Sequence, residues 1–98
     1  MPKLELTDNP NKQLVGAFIS RISNEEADSI LCEFTSYHMR QKLEKKRNDG
    51  KHGWFNSTCT NVNLMEMLKE HLNRGDMIDV INLAAMIEAR KQIWGESA

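Results

Sequence analysis

The stretch "HLNRGDMIDV", residues 71 to 80, decides how the C-terminal half of the chain folds. His71 and Leu72 close an apolar stripe at helical spacing, and Gly75 is the residue type that stops a helix in the left-handed conformation. Asp76 then reads as the cap of a new helix, and Asp79, at its third position, adds negative charge that suits the N-terminal end of the dipole. One helix stops and another starts within two or three residues, which predicts a tight helical hairpin or corner.

Working outward from this turn, Thr60 or Asn61 can cap a third helix whose Leu64, Met67, Leu68, His71 and Leu72 share one face. The fourth helix, "MIDVINLAAMIEA", is apolar on more than one side: Met77, Val80, Ile81 and Ala84 form one face, and Leu83, Met86, Ile87 and Arg90 another. Such a helix wants neighbours on two sides. It is either the centre of a four-helix unit wrapped by the other three, or it keeps a Met-rich face for a second copy or another protein.

Upstream, Pro10 behind Asn9 reads as a first-turn proline, and Leu14, Val15, Phe18, Ile19 and Ile22 give an apolar stripe, so a short helix is expected from about 10 to 21 after a flexible 1 to 9. Ser23 and Glu26 form a capping box ahead of Ala27, Ile30, Leu31, Phe34 and His38, which predicts a longer helix from about 24 to 47. Gly50 and Gly53 punctuate the loop 48 to 60, where Trp54 and Phe55 are expected to fold back on the core. With no strand-like alternation, the fold class is all-α: one small domain, residues 1 to 98, of about four helices with a C-terminal helical hairpin.

Ninety-eight residues allow one core but not a two-domain enzyme with an enclosed cleft. Thirteen basic against fourteen acidic side chains leave a net charge of -1, which removes the overall attraction that most nucleic-acid binders use. The first residues carry Lys3, Glu5 and Asp8 without an apolar run, so a secretory signal is not expected and the setting is cytosolic. Cys32 and Cys59 are then expected to be reduced thiols, and Asn56-Ser57-Thr58 a coincidental match to the glycosylation pattern. No membrane association is expected.

The basic run Arg40, Lys42, Lys45, Lys46, Arg47 and Lys51 could meet phosphates or an acidic partner, but the same helix opens with Glu25, Glu26, Asp28 and Glu33. Acid first and base last is the arrangement that complements the macrodipole. The helix after Gly75 is too apolar to read DNA. Cys32, His38, His52, Cys59 and His71 are zinc-ligand types but make no C-x-x-C or H-x-x-x-H pair, so no metal or other cofactor is expected. His38 and His71 lie on apolar stripes, where a satisfied, half-buried histidine is the ordinary outcome. No catalytic residue is assigned, because no nucleophile-and-base, phosphate-loop or paired-carboxylate signature is present.

Residues 53 to 87, "GWFNSTCTNVNLMEMLKEHLNRGDMIDVINLAAMI", resemble a module in small proteins encoded by tailed bacteriophages. The matching positions are Gly53, Trp54, Cys59, Leu64, Leu68, His71, Gly75, Asp76, Asp79 and Val80. Two departures are Met77, where proline usually follows Gly-Asp, and Glu88, close to where an aromatic usually stands. The resemblance carries over no catalytic or binding residue. It implies a non-structural accessory role in the cytoplasm of an infected bacterium, acting by binding a host or defence protein as an inhibitor or in host takeover.

The expected protein interface is Met77, Val80, Leu83, Met86, Ile87 and Trp94, with self-association into a homodimer through the fourth helix. Arg40, Lys45, Lys46 and Arg47 form a second, electrostatic surface. The alternative is a nucleic-acid or nucleotide-signal binder using the basic 40 to 51 region.

Overall fold

The structure, a computed structural model, describes residues 21–95, and within them the chain is helical with no strand. Three helices follow one another there: α1, Asn24–Asn48, α2, Asn61–Arg74, and α3, Met77–Trp94. The helix expected over about 10 to 21 lies, but for Arg21, outside the described residues, as does the stretch 1 to 9. No helix among the described residues is long and apolar enough to cross a membrane.

The chain divides into two compact units, Met1–Phe34 and Thr35–Ala98, and the division falls inside the continuous helix α1. The described part of the first unit is the start of α1. Its capping box forms as the sequence predicts: the Glu26 amide donates to Ser23 Oγ at 3.1 Å, and the Ser23 hydroxyl donates to Glu26 Oε1 at 2.9 Å. Within α1 no residue is buried.

In the second unit α2 and α3 form the hairpin. Thr60 is the cap of α2, its Oγ1 accepting from the Asn63 amide at 3.2 Å. The other end closes as a Schellman turn: the Asp76 amide reaches the His71 carbonyl at 2.9 Å and the Gly75 amide the Leu72 carbonyl at 3.1 Å. Gly75 has φ 78°, which a side chain would strain.

Leu64 of α2 and Leu83 and Ile87 of α3 are the buried apolar core, flanked by the half-buried Cys59, Met65, Leu68 and Met86. Each fully buried aliphatic side chain stabilises the fold by roughly 1.5–3 kcal/mol. The buried residues of α3 are Asp79, Asn82, Leu83, Ile87 and Arg90, so its inward stripe is apolar in the middle and polar at both ends. The C-terminal half of α1 meets α3 through polar groups: Lys42 Nζ stands 3.3 Å from Asp79 Oδ2, and the Asn82 side-chain amide donates to the Met39 carbonyl at 3.4 Å.

Candidate functional site

Arg90 organises the end of α3. Its side chain is buried, with Nε donating to Asn61 Oδ1 at 3.0 Å and Nη1 donating to the carbonyls of Trp54 at 2.6 Å and Asn56 at 3.0 Å. Asn61, the first residue of α2, has no exposed surface. One guanidinium therefore ties the last turns of α3 to the inter-helix loop and to the start of α2.

The loop is pinned through its own carbonyls, and this corrects the expectation that its two aromatics fold into the core. Trp54 is half-buried, but Phe55 remains 56% exposed and meets Trp54 edge to face at 6.0 Å. One turn beyond Arg90, Trp94 is 51% exposed, with the Arg90 guanidinium 5.1 Å from the centre of its ring. Phe55, Ser57, Arg90 and Trp94 line an open pocket of about 360 Å³. It offers two aromatic walls, a hydroxyl and a cation already held by three acceptors. Such a site suits an apolar or aromatic side chain of another polypeptide.

The six residues expected to form one interface separate. Leu83 and Ile87 are inside the molecule against Leu64, so they are not available to a partner; Val80 and Met86 are half-buried; Met77 and Trp94 are exposed. The face of α3 turned to α2 is simply the one that carries Leu83 and Ile87. Of the expected electrostatic surface, Arg40, Lys45 and Arg47 are exposed, whereas Lys46 is half-buried, its Nζ 3.8 Å from Asp79 Oδ1. Arg40 and Arg47, with Ser36, Met39, Leu43 and Glu44, line a second shallow groove of about 490 Å³.

A polar cluster sits at the opposite end of α3. Asp76 holds the cap position but makes no side-chain cap bond, because its carboxylate is 3.1 Å from His71 Nδ1. Asp79 is buried, 3.6 Å from the same nitrogen and in contact with Lys42 and Lys46. The Asp76 carboxylate thus serves His71 in place of the cap, and Asp79 does more than complement a dipole. The ligand atoms of His71, Asp76 and Asp79 lie within 4.8 Å of one another, a spacing that suits a divalent cation. The two ammonium groups both stand at Asp79, one at each oxygen, and Lys42 occupies the Asp79 oxygen that faces His71. The cluster therefore works as a polar network joining α1, α2 and α3.

On the exposed side of α3, Gln92 donates to Glu88 at 3.0 Å and Lys91 stands 3.6 Å away. The Gln92 hydrogen bond first, and then the Lys91 charge, hold the Glu88 carboxyl below the usual glutamate range.

Compared with protein-family descriptions, with curated proteins and with solved structures, the chain gives no match.

Proposed function

We propose that this is a phage-encoded accessory protein that binds a bacterial host or defence protein without catalysing a reaction, and that the aromatic pocket over Arg90 is where it does so. The observation that carries the reading is the pocket itself. Two large aromatic side chains, Phe55 and Trp94, stay more than half exposed around an arginine fixed by three hydrogen bonds. Exposed aromatics on a rigid base are the side chains that most often dominate the energy of a protein interface, since little conformational freedom is lost when they are covered. The resemblance of residues 53 to 87 to phage proteins supports the setting, and Trp54 of that stretch belongs to the loop that builds the pocket.

The test is affinity capture from a bacterial lysate with the full chain, followed by measured binding of the captured protein. Trp94→Ala is expected to weaken that binding by roughly 30-fold or more, as for an interface hot spot, with helix content unchanged. Met77→Ala, also at an exposed apolar position, is expected to leave it within about threefold. Equal affinity of Trp94→Ala and the unaltered chain would refute the assignment of the pocket.

A further inference from the structure

Helix α1 carries a charge pattern that the macrodipole explains only at its ends. Glu26, Glu33, Arg40 and Arg47 are spaced seven residues apart along its 25 residues. Seven residues return to nearly the same side of a helix, so these four form one line. Dipole compensation falls off within the first and last turns, so it accounts for Glu26 and Arg47 but not for Glu33 and Arg40.

Beside that line runs an apolar and aromatic stripe. Leu31, Phe34 and Tyr37 are 63%, 61% and 59% exposed, and Ile30 and His38 are half-buried next to them. In heptad terms Ala27, Phe34 and Gln41 occupy one seam position and Ile30, Tyr37 and Glu44 the other, with the four charges flanking the seam.

We infer that α1 pairs with α1 of a second copy of this chain, antiparallel, about a twofold axis near its middle. The order acid, acid, base, base is what selects both the partner and the direction. Antiparallel alignment sets Glu33 against Arg40 and Glu26 against Arg47 of the other copy, and the twofold axis repeats each pair. A parallel alignment sets Glu on Glu and Arg on Arg. In the antiparallel register Phe34 meets Tyr37 of the second copy twice, Ile30 meets Gln41, and Leu31 meets His38, so the aromatic layers lie at the centre. Glu26 keeps Oε2 for its arginine, since Oε1 is the oxygen that receives the Ser23 hydroxyl. The seam is short and its outer layers are polar, which gives a weak, reversible dimer. None of these residues lines the pocket at Trp94.

Sedimentation equilibrium of the full chain from about 5 to about 500 μM tests the inference. The expected result is a monomer–dimer equilibrium that Glu33→Arg and Arg40→Glu each weaken by about tenfold or more, through like charges brought together at the seam. The double variant Glu33→Arg/Arg40→Glu is expected to recover dimerisation to within about threefold, because the reversed charges are again complementary. Both positions of change are on an exposed helix surface, and circular dichroism verifies that the helix persists; should a reversal unfold it, Glu33→Gln and Arg40→Gln are expected to weaken the dimer by about threefold each. A chain that stays monomeric over the whole range, or a dimer indifferent to both reversals, would overturn the inference.

Discussion

Arg90→Ala is expected to lower the stability of the fold by about 3 kcal/mol and its melting temperature by roughly 15 °C, the largest effect of any polar substitution among the described residues. The guanidinium is buried and holds Asn61 Oδ1 and the carbonyls of Trp54 and Asn56. Each acceptor left unpaired in the interior costs roughly 1–3 kcal/mol, but the two loop carbonyls can swing out and rehydrate, so the sum is not reached. Asn61 cannot do so, because it lies fully inside at the start of α2. Arg90→Lys keeps the charge and loses the fork, and it is expected to recover less than half of the loss. Urea unfolding followed by circular dichroism measures both. A loss below about 1 kcal/mol for Arg90→Ala would mean that the loop is held by something other than this side chain.

Leu83→Ala is expected to cost about 3 kcal/mol through the lost transfer energy and the cavity it leaves. Leu83 packs with Leu64 and Ile87, and only these three apolar side chains are buried among the described residues, so little remains to compensate. Met77→Ala, on a side chain 50% exposed, is expected to change stability by less than about 0.5 kcal/mol. The two truncations therefore separate the covered face of α3 from the open one. Were Leu83 an interface residue, its truncation would leave the isolated chain as stable as before and weaken association instead.

Much of the backbone was legible because its signals are local. Ser23 with Glu26 marked the start of α1, Gly75 marked the end of α2, and both do so through bonds within five residues. Side-chain destinations were harder to read. Asp76 has the composition and position of a cap, yet its carboxylate finds His71, which the Schellman turn swings back beside it. A half-buried, satisfied His71 is what the sequence led one to expect, without naming the partner. Arg90 shares its face with Leu83 and Ile87, so its burial could have been suspected, but its acceptors lie 29 to 36 residues away. Periodicity shows that α3 has two apolar faces; it does not say which of them α2 covers. That choice depends on Leu64 and on the loop geometry that Arg90 enforces.

Helix α3 divides into an interior face and an open end, and site-resolved amide hydrogen exchange tests that division most directly. The slowest amides are expected at Leu83, Ile87 and Arg90, with protection approaching that of global unfolding. That protection is expected to be unchanged when the chain is diluted below the concentration at which α1 pairs with α1. Protection of these amides that falls on dilution, or that never exceeds that of Lys91 to Trp94, would show that α3 is covered by another chain and would contradict the account.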